Sequence, residues 1–137
     1  MIPEESFDCE SAARKIRPVL QKDQRIIAAY LMGSIVSGRL HDDSDIDIAI
    51  LPDAPKTFDT MDRLYLSAAI QDELTLEADI GILSTHDLVY ATQAIVYGKC
   101  IFVRDKFKKD LFAATCLSLY AQFKFESIEV ENAYRIR

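Results

Sequence analysis

Apolar residues along the chain fall into short bursts whose spacing switches between a helical and a strand period. Glu10 to Lys22 has the helical spacing, follows acidic and Ser residues that suit a helix start, and carries Pro18 as a point of kinking or shortening. Arg25 to Met32, RIIAAYLM, is a brief apolar run cut off by Gly33, which predicts a buried strand. One or two helical turns are expected over Ser34 to Leu40, loosened by Gly38. Ile46 to Pro52, IDIAILP, is rich in β-branched residues and stops at a proline, so it reads as a second strand. Met61, Leu64, Tyr65 and Ala68 recur at helical spacing, which predicts an amphipathic helix over Asp59 to Leu76 with these four on its apolar face. Glu77 to Leu83, EADIGIL, is a third strand. A helix over Thr85 to Tyr97 follows, its start marked by Ser84-Thr85 and then Asp87, its end by Gly98. KCIFVR is a short fourth strand, Lys106 to about Phe125 a long helix, and a polar tail compatible with helix runs on to Arg137. Without an internal repeat, low-complexity block or linker, this alternation is an α/β (α+β) pattern.

Composition narrows the function classes. A chain of 137 residues that is 50% hydrophobic suits one compact domain with a substantial core. A net charge of −6 argues against a dominant nucleic-acid-binding role, which needs a concentrated basic face. Cys9, Cys100 and Cys116 form no CxxC pair, and His41 and His86 do not stand at metal-ligand spacing, so neither a disulfide framework nor a structural zinc site is expected. The first residues, MIPEESFDCE, carry acid where a secretory signal carries base, and no apolar run approaches a membrane-spanning length. The expectation is a cytoplasmic protein with no membrane or direct nucleic-acid partner.

The chemistry concentrates in LMGSIVSGRLHDDSDIDIAI, residues 31 to 50. Strand side chains alternate, so Asp45 and Asp47 project from one face while Ile46, Ile48 and Ile50 fill the other. At about 5 Å and an effective dielectric of about 20, two such carboxylates repel by about 3 kcal/mol, which a protonation or a bound cation relieves. Oxygen-only ligands point to magnesium or manganese. A plainer reading makes HDDSD an acidic turn and Asp47 an exposed residue of a half-solvated strand. Against it stands the upstream context, in which a buried-type strand runs into Gly33-Ser34 and then a helical start. Such a Gly-Ser can offer backbone N–H groups and a hydroxyl to a phosphate.

Gly33-Ser34, ten intervening residues and Asp45-Ile46-Asp47 resemble the signature of the nucleotidyltransferase superfamily that includes DNA polymerase β. The shortness of the chain resembles the minimal (MNT) members, and among these it looks most like the MntA-type antitoxins encoded beside HEPN-domain toxins. The order of strands and helices matches over about residues 10 to 104. The resemblance implies a single nucleotidyltransferase-type domain over 1–137, with a small mixed sheet of about four strands flanked by helices and a long C-terminal helix. It implies catalytic and metal-binding roles for Asp45, Asp47 and a third carboxylate, Asp79, with Glu77 on the same strand face as the competing assignment. Two Mg²⁺ ions (Mn²⁺ as substitute) and ATP as donor are implied, the nucleotide being held through Gly33, Ser34, Ser44 and Arg39. Where many minimal members carry Arg three residues after the Gly-Ser, this chain has Ser37, and Arg39 is the nearest replacement.

The implied reaction is AMP transfer to a tyrosine hydroxyl of a HEPN-domain RNase toxin, which silences it. Two alternatives stay open at this point: a binding-only antitoxin with a degenerate site, and a small-molecule nucleotidyltransferase acting on an aminoglycoside-like alcohol. In Leu111 to Phe125, LFAATCLSLYAQFKF, eleven of fifteen residues are apolar or aromatic and are spread around the helix. The segment over 106–137 is therefore expected to contact a partner, the toxin or a second copy of the chain, through Phe112, Leu119 and Phe123. The alternative is that the tail from Glu126 to Arg137 folds back over the helix.

Overall fold

The structure, a computed structural model, describes residues 8–37 and 45–135. In chain order the elements are α1 (Cys9–Gln21), β1 (Ile26–Met32), α2 (Ser34–Ser37), β2 (Ile46–Pro52), a 3₁₀ turn (Pro55–Thr57), α3 (Thr60–Leu74), β3 (Ala78–Ile82), α4 (Leu88–Tyr97), β4 (Lys99–Val103) and α5 (Lys106–Arg135). The sheet has the order β3-β2-β1-β4. β1 is antiparallel to both β2 and β4, whereas β2 and β3 run parallel, so the sheet is mixed as expected.

Alternation along β2 divides the core in two. Ile46, Ile48 and Ile50 pack with Ile16 and Leu20 of α1 and with Leu66, Ile70 and Leu74 of α3. Ala49 and Leu51 face the other way, into a cluster with Tyr30, Leu83, Ala91 and Ala94 of α4, and Cys116 of α5. The two aspartates at 45 and 47 share the parity of this second face, on which α4 lies.

Three elements differ from their sequence reading. On α3 the stripe of Met61, Leu64, Tyr65 and Ala68 is exposed, and burial falls instead on Leu66, Ile70 and Leu74. The cause lies at the helix start and at the sheet edge. Asp59 and Asp62 form a reciprocal capping box, and Arg63 and Ser67 donate to the outward carbonyls of Ile80 and Ala78 on β3. These bonds set the rotation of the helix, so the four-spaced aliphatic residues meet the sheet.

The helix α4 begins later than Thr85. Asp87 is its N-cap and accepts from the Tyr90 N–H, while Ser84 Oγ accepts from the His86 N–H in the turn before it. Gly98 ends the helix with φ −76°, an ordinary extended backbone. What requires glycine there is close approach: a Cβ would stand 2.5 Å from the Ala94 carbonyl oxygen and 3.1 Å from that of Leu31.

The tail does not fold back. α5 runs as one helix of 30 residues to Arg135. Phe112 packs against the second core cluster and Cys116 is buried, so Phe112 belongs to the margin of the core. Leu119 and Phe123 are exposed, as are Phe125, Ile128 and Val130. Among the described residues no helix is long and apolar enough to cross a membrane.

Candidate active site

The candidate site is assembled where β1 ends and β2 and β3 begin. Asp47 is the register partner of Met32 on β1 and of Asp79 on β3. Asp45 immediately precedes β2 and is exposed; Asp47 is half-buried and Asp79 exposed. Burial raises the Asp47 carboxyl above its ordinary range, and the charges of Asp79 and then Asp45 raise it further. The charges of Asp79 and Asp45 thus converge on Asp47 and disfavour its ionised form.

Gly33 makes room for this arrangement. It turns the chain out of β1 with φ +80°, in the left-handed region, and a Cβ there would lie 2.8 Å from Asp47 Oδ2. Ser34 opens α2 directly after it. The side chain of Ser34 lies outside the described residues, as do Arg39 and Ser44, so the predicted nucleotide-binding set is placed only through the backbone at 33 and 34. Of the predicted helical turns over Ser34 to Leu40, Ser34–Ser37 is helical, and residues 38–40 lie outside the described residues.

Glu77 precedes β3, and its carbonyl accepts from the Ile46 N–H at 2.8 Å. By alternation its side chain shares the face of Asp79, but Asp79 is the residue directly across from Asp47. The donor chemistry, carboxylate oxygens on adjacent strands, suits a hard divalent cation. Among the described residues no three His, Cys, Asp or Glu side chains are gathered closely enough to hold one. Asp45, Asp47 and Asp79 share a face and a field without forming such a trio.

Sequence reasoning missed Tyr90. It rises from the first turn of α4 onto Gly81 of β3, where a Cβ would collide with Tyr90 Oη and stand 2.6 Å from Cζ. Burial raises the Tyr90 phenol above its ordinary range, followed by the charges of Asp47 and Asp79. The signal available in the sequence was Gly81 itself, a glycine inside a strand, which marks close approach by another group. At the β3 edge a cleft of about 320 Å³ is lined by Arg63, Leu64, Ser67 and Asp79 among others. A cavity of about 350 Å³ beneath Leu111 and Phe112 adjoins Leu51 and Leu83 at the far end of the strands, away from the aspartates.

Residues 14–107 match the polymerase β nucleotidyltransferase family. The chain belongs to that family. This nucleotidyltransferase is 32% identical over 97 residues to the protein adenylyltransferase MntA of Shewanella oneidensis, a match covering 71% of the chain and 68% of the relative. Its fold is similar to the crystal structure of a toxin–antitoxin with AMP-PNP, at 26% identity and a TM-score of 0.71, over 88% of this chain and 96% of the other. It is also similar to a mutant of the toxin–antitoxin MntA-HpeT, at 27% identity and a TM-score of 0.69, over 88% and 94% of the two chains. The resemblance to MntA-type antitoxins read from Gly33-Ser34 and Asp45-Ile46-Asp47 is borne out.

Proposed function

We propose that this nucleotidyltransferase is an antitoxin enzyme that transfers AMP from ATP to a tyrosine hydroxyl of a cognate HEPN RNase toxin and thereby neutralises it. The observation that carries the reading is the pairing of Asp47 with Asp79 beside Gly33, with Asp45 on the same strand face. It is supported by the similarity to a protein adenylyltransferase and to a toxin–antitoxin structure with AMP-PNP.

In this mechanism Asp45, Asp47 and Asp79 would hold two Mg²⁺ ions, replaceable by Mn²⁺, whose chemistry when bound is to neutralise phosphate charge. Gly33 and Ser34 bound the phosphate side of the site, with Arg39 and Ser44 assigned to the nucleotide by resemblance. Asp79 lies nearest the attacking hydroxyl and helps to deprotonate it. The acceptor oxygen bonds to the α-phosphorus, the bridging α–β P–O bond breaks, and pyrophosphate leaves with the electron pair. Rate comes chiefly from orientation and charge compensation. The chain acts as one domain in the cytoplasm, and the segment over 106–137 contacts the toxin.

Incubation of the protein and toxin with ATP labelled at the α-phosphate, in the presence of magnesium, tests this. Wild type labels the toxin, and Asp45→Asn and Asp47→Asn each lower the rate by about a hundredfold or more. Asn variants that still neutralise the toxin without labelling it would show inhibition by masking and overturn the enzymatic reading.

A further inference from the structure

We infer that Tyr90 orients the acceptor in the transfer site: its hydroxyl, seated over Gly81, fixes the incoming hydroxyl oxygen beside Asp47 and Asp79. This rests on the transferase reading above and adds a residue to it. Strand alternation puts Asp79, Gly81 and Leu83 on one face, and the register sets Asp47 across from Asp79 and Ala49 across from Gly81. Directly beyond the carboxylate pair, therefore, comes a pair of positions with almost no side chain. That makes a hollow in the sheet face, and the Tyr90 ring lies in it with its hydroxyl against the backbone of Gly81.

The residue is held by its backbone and by packing along α4. Asp87 caps the helix by accepting from the Tyr90 N–H at 3.3 Å, and Ala91 and Ala94 are fully buried in the same cluster against which Tyr90 packs. Among the described residues the hydroxyl has no hydrogen-bond partner. If Tyr90 only filled the hollow, phenylalanine would do so without the cost of desolvating a phenol. Its O–H is instead placed to donate to an oxygen entering the site, which turns that oxygen's own proton toward Asp79. The ligand class is an alcohol or phenol acceptor.

The test uses the full chain with its toxin, measuring kcat, the KM for toxin, ATP affinity by titration and the melting midpoint. Tyr90→Phe keeps the ring and should lower kcat about tenfold while ATP affinity stays within about twofold. Gly81→Ala keeps the hydroxyl but displaces it, and should show the same split between rate and ATP affinity. Wild-type kcat in Tyr90→Phe overturns the proposal, and so does a loss of ATP affinity that matches the loss of rate. If Tyr90→Phe fails to fold, Gly81→Ala decides by the same criteria. Asp47→Asn is run alongside: if it retains full transfer, the transferase reading falls and this proposal with it, whereas an inert Asp47→Asn beside a fully active Tyr90→Phe removes the Tyr90 role alone.

Discussion

Asp47 is held between two strands, and both neighbours shape what it can do. Gly33 gives it space on the β1 side, and Asp79 faces it on the β3 side with a charge that opposes its ionisation. This geometry separates Asp79 from Glu77, which alternation alone leaves equivalent. Asp79→Asn is expected to slow transfer by about a hundredfold while leaving ATP binding nearly unchanged, because its proposed role lies at the attacking oxygen. Glu77→Gln should stay within about threefold of wild type, well short of the mechanistic losses that follow removal of an acting group. Single-turnover transfer beside nucleotide titration measures both; a silent Asp79→Asn with a damaged Glu77→Gln would reverse the assignment. Asp45 and Asp47 were legible in the sequence because the alternation that aligns them is a property of one strand. Tyr90 was not, since its place depends on how α4 crosses β3, and only Gly81 hinted that something lay there.

At the level of elements, β2 has the bounds read from Ile46 to Pro52, and β1 differs by one residue, because β-branched runs ended by Pro or Gly leave little choice. The buried face of α3 was not legible. Its sequence offers two apolar stripes, and the choice between them is made by polar contacts that tie the helix to Arg25 and to the β3 edge. Arg25 is the largest of these anchors. It pairs with Asp23 at 2.7 Å and Asp62 at 3.1 Å, donates to the Thr57 carbonyl, and stacks on Phe58 with its guanidinium carbon 4.9 Å from the ring centre. The hydrogen bonds from Arg25 hold the carboxyls of Asp23 and Asp62 below their ordinary range. Because their folded values lie below the unfolded ones, the stability they contribute is complete above the unfolded carboxylate range and is lost as pH falls through the lowered folded values. Arg25→Gln should lower the melting midpoint by several degrees at neutral pH, with the gap closing as pH drops below about 4. A constant gap across that range, in melts followed by circular dichroism, would mean that Arg25 acts through packing on Phe58 alone.

For the whole molecule, the unusual feature is the length of α5 relative to the sheet it packs against. Thirty residues of helix extend for about 45 Å at about 1.5 Å per residue. The core reaches it through Phe112 and Cys116, both in its first half. Past them, Leu119, Phe123, Phe125, Ile128 and Val130 stay 40–64% exposed. The sequence showed an apolar helix but not where its coverage stops, which depends on the position of α4. Phe112 and Phe123, equivalent as apolar residues in the sequence, therefore have opposite expected behaviour. Phe112→Glu should destabilise the domain by about 2–4 kcal/mol, because it puts an unpaired charge at the core margin and removes an aromatic ring. Phe123→Glu should leave the melting midpoint within about 2 °C of wild type, as exposed substitutions do, since about 0.5 kcal/mol corresponds to no more than that. If the distal half of α5 is the toxin-binding surface, Phe123→Glu will weaken the complex at least about tenfold in sedimentation or titration measurements, the loss of a buried aromatic anchor being at least that large. A Phe123→Glu protein that melts early would place the residue in the core, and one that binds toxin at wild-type affinity would move the interface off this part of the helix.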